Sequence, residues 1–121
     1  MPKSRNSTRE ERIDNEIMVD AYGREERAMA WYYYLEDKIC FPFRAKCTVS
    51  QVVSPLKKRE TVAVLRLAPE GACTGDMLVL IRWHDRKIAI PLSQLTAIDE
   101  NESSDQAVAD WKYWVAQGYR F

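Results

Sequence analysis

The most constraining feature of the sequence is an aromatic block, Trp31 to Tyr34, that lies among acidic residues in the stretch 10–45. The acids on either side of the block are Asp20, Glu25, Glu26, Glu36 and Asp37. Aromatic side chains bury large areas, whereas crowded carboxylates are costly unless water, a proton or a cation relieves them. The stretch therefore predicts a folded segment that fixes its acids in place, and a function that is electrostatic and local to those acids.

Length and charge limit what such a function can be. At 121 residues and 14.1 kDa, with 46% hydrophobic residues, the chain predicts a single domain over residues 1–121. Lysine plus arginine equals aspartate plus glutamate at 18 each, so no global field recruits nucleic acid, a membrane or an acidic partner. Charge is segregated only locally, because 57–59 is basic whereas 99–110 contains acids and no base.

Cysteine usage and the amino-terminal residues indicate where the chain works. Cys40, Cys47 and Cys73 form no CxxC pair, which favours reduced thiols over a disulfide framework or a zinc site. The first residues are polar, we expect 1–7 to be disordered, and no run reaches the roughly 18 apolar residues of a membrane span. These features predict a cytoplasmic protein that is not embedded in a membrane.

Two helices are predicted before the first proline of the folded part. Thr8 and a glutamate three positions later have the spacing of a capping box, which predicts a helix over 9–22 that Gly23 ends. Apolar residues recur along it every four positions, at Ile13, Ile17 and Ala21. A second helix is predicted over 24–38, and the two should form a hairpin. The apolar stripe of the second helix consists of Ala28, Trp31, Leu35 and Ile39.

After Pro42, which cannot continue a helix, the pattern changes to that of strands. Alternating or β-branched runs predict strands at 44–53, 61–67, 77–83 and 87–90, a helical turn at 91–95 and a closing strand at 96–98. A capping signature at Ser103 begins a final helix, and Gly118 is placed to end it. The predicted fold class is α+β: an N-terminal helical hairpin, a small SH3-like antiparallel β-barrel or curled sheet, and a C-terminal helix.

The sequence favours catalysis and nucleic-acid binding less than binding of a metal. His84 is the single histidine, and no nucleophile, metalloprotease or phosphate-loop motif is present, so we do not expect an enzyme. An alternative is an SH3-like interaction module for a peptide or nucleic acid, for which the chain offers two basic clusters, the second of them near Trp83. Their residues are Lys57, Lys58 and Arg59, and Arg82, Arg86 and Lys87. Zero net charge makes nucleic acid the less favoured partner.

Metal binding through oxygen ligands suits the acids better. Calcium accepts about six to eight oxygens in flexible geometry, so acids on adjoining helix ends can hold it without a dedicated loop, and no EF-hand pattern is present. The alternative is that these acids form an ordinary solvated helix surface. Glu16 and Asp20 are like-charged neighbours on one helix face, and Arg24, Arg27 or a metal would relieve their repulsion.

Three long segments carry a family resemblance. They read EERIDNEIMVDAYGREERAMAWYYYLEDKICFPFRAKC, RWHDRKIAIPLSQL and ADWKYWVAQGYRF, and the likeness extends over 10–121. The sequence resembles the bacterial calcium-binding proteins best known from heterocyst-forming cyanobacteria. The resemblance implies a small α+β protein that binds calcium without EF-hands and sequesters it in the cytosol. It also implies a markedly acidic protein, whereas this chain is neutral, so weaker long-range attraction of a divalent ion is expected.

We therefore expect a cytosolic, non-EF-hand protein that sequesters or buffers Ca²⁺ and has no catalytic step, as a monomer or weak homo-oligomer. The alternative is that the chain is the SH3-like interaction module described above and has lost tight calcium binding. The first predicted group of metal ligands lies where the helical hairpin turns and consists of Asp20, Glu25 and Glu26. The second lies in the loop and first turns of the last helix and consists of Asp99, Glu100 and Asp110, with Glu36 and Asp37 as partners.

Overall fold

The structure is a computed structural model, and it describes residues 7–52, 54–99, 101–119 and 121. Within these residues the α-helices are α1 (Ser7–Arg12), α2 (Arg24–Lys38) and α3 (Glu102–Ala116). The strands are β1 (Phe43–Cys47), β2 (Thr61–Leu67), β3 (Leu78–Trp83), β4 (Arg86–Pro91) and β5 (Leu95–Ala97). The α+β class and the order of helix, helix, strands and helix are confirmed.

The first helix is shorter than its periodicity predicts. α1 continues into a π-helical segment, Ile13–Ile17, in which the amide of Met18 donates to the carbonyl of Ile13 at 2.8 Å. The helical chain therefore ends five positions before residue 22, and the prediction for this boundary was wrong. The wider π-helical turn keeps Ile13 and Ile17 buried. The helix then ends before Asp20, whose φ of 60° is not helical. The second helix was predicted correctly at both ends.

The sheet is antiparallel and open. In the described part of the chain the five strands are ordered β4-β3-β2-β1-β5, so β4 and β5 are its edges, and the sheet is not closed into a barrel. Of the two predicted forms, the SH3-like β-barrel is wrong and the open sheet is what forms. The first strand ends at Cys47, not at residue 53, because the β-branched residues beyond it have no strand partner in the described residues.

One hydrophobic core joins the helices to one face of the sheet. Trp31 of α2 contacts the rings of Trp111 and Trp114 of α3, with ring centroids 5.1 Å and 5.4 Å apart, and strand residues such as Val64 and Ile81 complete the core. The predicted apolar stripe of α2 is buried throughout. The ring of Tyr119 packs against Trp114, with ring centroids 5.9 Å apart, while the residue is 38% exposed.

Both ends of α3 are fixed by local chemistry. The side chain of Asn101 accepts a hydrogen bond from the amide of Ser104 at 2.8 Å, so the cap is Asn101 and not Ser103 as predicted. Gly118 has a φ of 84°, and the amide of Tyr119 donates to the carbonyl of Trp114, as in a Schellman motif. The predicted role of Gly118 is confirmed.

Candidate metal site

The turn between the helical segments forms a cleft lined by acids. Asp20, Glu25 and Glu26 line it together with Val19 and Tyr33. All three acids are exposed, and the hydroxyl of Tyr22 donates to Asp20 at 3.3 Å. The structure therefore brings the first predicted group of ligands to one cleft.

Local structure explains why these acids line the same cleft. The left-handed backbone at Asp20 turns the chain back within 18–23, and Asp tolerates this conformation better than most residues. Gly23 then precedes α2 in an extended conformation, which puts Glu25 and Glu26 in the first turn of that helix. The positive end of the helix dipole stabilises carboxylates at this position whether or not a metal is present.

A second acidic cleft adjoins the first at Tyr33. It is lined by Glu16 and Asp37 and shares Val19, Ala30 and Tyr33 with the first. The Tyr33 hydroxyl donates to Glu70 at 3.0 Å, and this hydrogen bond and the Glu70 charge raise the pKa of Tyr33, with a smaller contribution from Glu36. We call this surface the acidic face. It consists of Glu16, Asp20, Glu25, Glu26, Glu36, Asp37 and Glu70 around Tyr33.

Glu70 was missing from the predicted ligands. It lies in a short 3₁₀ turn, Glu70–Ala72, that follows β2, far along the chain from the helical hairpin. No spacing rule links it to the hairpin, so only the fold reveals that it adds to the same face. Cations also border the face, since Arg24 lines the first cleft and Lys38 lines the second.

Asp99 has a different environment from the acids at the turn. Its carboxylate accepts the backbone amide of Arg44 at 2.7 Å and the Arg44 Nε at 2.9 Å. The amide hydrogen bond, followed by the guanidinium, lowers the pKa of Asp99. Its predicted neighbour Glu100 lies outside the described residues. Asp99 thus ties the start of β1 to the loop before α3.

Asp110 is fully buried, and four hydrogen bonds occupy its oxygens. Arg9 Nη1 and Arg12 Nη2 donate to Oδ1 at 2.7 Å and 2.6 Å, while Arg12 Nε and the Tyr34 hydroxyl donate to Oδ2 at 3.2 Å and 2.8 Å. Burial, followed by the hydrogen bond to Asp110, raises the pKa of Tyr34. Asp110 therefore joins α1 and α2 to α3, in a place where two guanidinium groups oppose the approach of a divalent cation.

The acids of the acidic face supply only oxygen donors, which is the donor set that hard divalent cations prefer. Their carboxylates are spread along the clefts. Among the residues described by the structure, no group of three histidines, cysteines or carboxylates lies in an arrangement ready to hold a metal ion. An ion at this face would have to draw flexible side chains together and complete its shell with water.

Comparisons with known proteins agree with this chemistry. The model of a protein family described as calcium binding matches residues 11–115. The chain belongs to this calcium-binding family. A search of curated proteins found no match.

Two solved structures share the fold over nearly the whole chain. The crystal structure of Anabaena CcbP is 43% identical, covers 98% of each chain and superposes with a TM-score of 0.86. A calcium-binding protein in the calcium-binding form is also 43% identical, with a TM-score of 0.84 over 97% of this chain and 96% of that one. The family resemblance inferred from the sequence is thereby confirmed. None of the described helices of the present chain is both long and apolar enough to span a membrane.

Proposed function

We propose that this protein binds Ca²⁺ at its acidic face, with Asp20, Glu25 and Glu26 as the principal ligands. The observation that supports the proposal most strongly is that these three carboxylates line one cleft, at a turn where the backbone can adjust. Membership of a calcium-binding family supports the identity of the ion.

The binding mode differs from that of an EF-hand. An EF-hand wraps its ion in a loop of about twelve residues, whereas the turn 18–23 between the helical segments is much shorter. Calcium tolerates variable geometry and keeps water ligands, so the three side chains can close on it without rearrangement of the helices. The cost is the mutual repulsion of the carboxylates before the ion arrives, which the ion then relieves.

A weaker second position for a calcium ion lies around Tyr33, where the carboxylates are those of Glu36, Asp37 and Glu70. Glu36 and Asp37 are exposed, and the Asp37 carboxylate lies 3.8 Å from the Lys38 amine. An exposed pair at this distance is held weakly, so Lys38 can move aside for a divalent ion. Asp99 and Asp110 do not enter the proposed site, because arginines already neutralise both carboxylates.

We also propose that the protein acts as a cytosolic calcium buffer and performs no catalytic step. Three cysteines are free, and Cys40 is exposed, which suits a reducing compartment. Exposed carboxylates that are not assembled in advance favour modest affinity and rapid exchange, as a buffer requires.

Isothermal titration with CaCl₂ tests the proposal directly. The wild-type protein should release or absorb heat with a saturable profile, and the triple variant Asp20→Asn/Glu25→Gln/Glu26→Gln should weaken binding by at least about tenfold. These substitutions keep the size of each side chain and remove only its charge, so α2 should remain folded.

A matched control removes three exposed charges from other places on the surface. The variant Glu11→Gln/Asp85→Asn/Glu102→Gln lowers the negative charge by the same amount and leaves both clefts intact. Its affinity should stay within about threefold of the wild type. Equal losses in the two variants would show that total charge, and not the cleft, governs binding, and absence of heat in the wild type at millimolar calcium would overturn the proposal.

A further inference from the structure

The five strands have a charge pattern opposite to that of the acidic face. Their sequences contain no Asp or Glu, and their basic residues are Arg44, Lys46, Arg66, Arg82, Arg86 and Lys87. The buried face of each strand is apolar, and all six basic residues are exposed. A chain with zero net charge therefore has a strongly basic surface on its sheet.

Pairing of the strands brings a second basic segment to one end of this surface. Val64 of β2 pairs with Ile81 of β3, so the start of β2 lies level with the β3–β4 turn. The loop before β2 then places Lys57, Lys58 and Arg59 in one cleft with Trp83 and His84. We call this region the basic end of the sheet. It consists of Lys57, Lys58 and Arg59 in the cleft with Trp83, of Arg86, which pairs with Trp83 across the strands, and of Arg82 and Lys87, which lie on the opposite face of the sheet.

The cations of the basic end have no acidic partners in the described residues. The ion pairs among the described residues involve bases outside the basic end, namely Arg9, Arg12, Lys38 and Arg44. Two acids lie nearby. Glu60 uses its carboxylate to accept the backbone amide of Lys57 at 2.7 Å, and Asp85 is exposed in the β3–β4 turn.

Like charges also face each other across the strands. Arg82 of β3 pairs directly with Lys87 of β4, and such a pair destabilises a sheet unless an anion lies between or beside the two side chains. The backbone of Arg59 has a φ of 80°, an uncommon conformation for a non-glycine residue, and its amide donates to the carbonyl of Cys47. The fold thus gathers positive charge here at some cost to its own stability.

An aromatic side chain lies beside three of these cations, in the cleft that contains Lys57, Lys58 and Arg59. Three of the four tryptophans are buried in the core, whereas Trp83 is half-buried and lines the cleft. The exposed His84 ring packs edge-on against Trp83, with ring centroids 4.6 Å apart. A tryptophan at the surface among lysines and arginines offers a face on which a nucleic-acid base can stack while the cations contact phosphates.

We propose that the basic end of the sheet binds single-stranded nucleic acid. The positive charge of this region favours a polyanion as the partner. The accessible Trp83 ring favours a polyanion with unstacked bases, because such bases can stack on the ring whereas a duplex or an acidic polypeptide offers none. The partner binds without base-specific contacts, through phosphates on the lysines and arginines and one base on Trp83. This function is separate from calcium binding, because the residues of the basic end do not overlap with the acidic face.

Fluorescence anisotropy with a labelled oligouridylate of about 16 nucleotides tests the inference on the full-length chain. The titration is run in the presence of a chelator, so that its outcome does not depend on calcium. Binding should weaken as salt rises, and the slope of log K against log salt should change by about 0.7 for each phosphate contact removed. Lys57→Gln/Lys58→Gln should weaken binding by about tenfold at low salt and flatten that slope.

The matched control is Arg24→Gln/Arg27→Gln, which removes two positive charges from α2 and should leave the affinity within about twofold. Trp83→Leu should lose about tenfold or more, while Trp83→Phe should retain most of the affinity because its ring still stacks. Oligouridylate should also quench the intrinsic fluorescence of the wild type, and this quench should disappear in Trp83→Phe even if Trp83→Leu fails to fold.

Three outcomes would overturn the assignment. The first is binding that does not respond to salt, and the second is an equal loss in the α2 control. The third is equal affinity for duplex RNA or for polyglutamate, which would indicate a general polyanion surface instead of a site for unstacked bases.

Discussion

Asp110 and the carboxylates of the first cleft belong to the same helical part of the molecule, yet the fold gives them opposite surroundings. Asp110 is buried and accepts hydrogen bonds from two arginines and a tyrosine. Asp20, Glu25 and Glu26 are exposed and make no ion pair among the described residues. A buried carboxylate that already has its cation is costly to remove, because the cation would be left uncompensated, whereas an exposed carboxylate without a cation is available to an ion from solution.

The largest effect that this comparison predicts is on Asp110 itself. Asp110→Asn should lower the free energy of unfolding by about 3 kcal/mol, because the guanidiniums of Arg9 and Arg12 would then meet with no negative charge between them. Urea denaturation measures the change. Asp37→Asn removes an exposed ion pair and should alter the same quantity by no more than about 0.5 kcal/mol. Similar losses in both variants would contradict the distinction between buried and exposed acids.

Stabilisation by calcium should depend on the exposed acids of the first cleft and not on buried Asp110. At a concentration of about 100 times its dissociation constant, an ion that binds only the folded state adds about 2.7 kcal/mol to the free energy of unfolding. Thermal melts with calcium or a chelator should show this gain in the wild type and in Tyr34→Phe, which alters the surroundings of Asp110. The gain should be lost in Asp20→Asn/Glu25→Gln/Glu26→Gln. If the triple variant keeps it, the ion binds elsewhere.

Two neighbouring tyrosines allow a finer test. The hydroxyl of Tyr34 donates to buried Asp110 at 2.8 Å, and that of Tyr33 donates to exposed Glu70 at 3.0 Å. Tyr34→Phe should cost about 1.5 kcal/mol in the free energy of unfolding, because a hydrogen bond to a buried charge is lost. Tyr33→Phe should cost much less than Tyr34→Phe, because water can replace the exposed Tyr33 hydroxyl as the hydrogen-bond partner of Glu70. Chemical denaturation of both variants compares them, and a larger loss for Tyr33→Phe would reverse the assignment.

How far the sequence predicts these features depends on how local their causes are. The bounds of α2 and β2 follow from a clear period and clear boundary residues, and both were predicted to the residue. The end of the first helix was not predicted, since the π-helical turn that ends it depends on how Ile13 and Ile17 pack against the core. The open edge of the sheet likewise depends on which strands pair, and strand patterns alone leave a barrel possible.

The acids of the candidate site also differ in how local their surroundings are along the chain. Asp20, Glu25 and Glu26 are close in sequence and were predicted together, because a hairpin turn brings them to one place. Asp110 was also predicted as a ligand, and the arginines that contact it, Arg9 and Arg12, lie 101 and 98 positions away along the chain, where no local pattern can reveal them. Glu70 was missed for the same reason. Contacts between distant segments decide which acids remain available to an ion.

The smallest predicted effects concern two aspartates whose pKa values move in opposite directions. Hydrogen bonds from the Arg44 amide and side chain lower the pKa of Asp99 from its ordinary value of 3.8. Burial raises the pKa of Asp76 above the same value, against a smaller opposing effect of the Met77 amide. Asp99 therefore contributes stability that is present above pH 3.8 and is lost as the pH falls through its folded-state pKa. Ionisation of Asp76 instead destabilises the fold as the pH rises through 3.8 and beyond.

Substitution by asparagine should separate the two signs. At neutral pH, Asp99→Asn should be less stable than the wild type, because the carboxylate that Arg44 neutralises is gone. Asp76→Asn should be slightly more stable, since an uncharged amide loses less on burial and its oxygen still accepts the Met77 amide. Both differences should vanish at acidic pH, where the carboxylates are protonated, and thermal melts from acidic to neutral pH measure them. A loss of stability in both variants at neutral pH would mean that Asp76 has a cationic partner in solution. Asp76 would then resemble Asp99, and the predicted difference in sign between the two aspartates would be wrong.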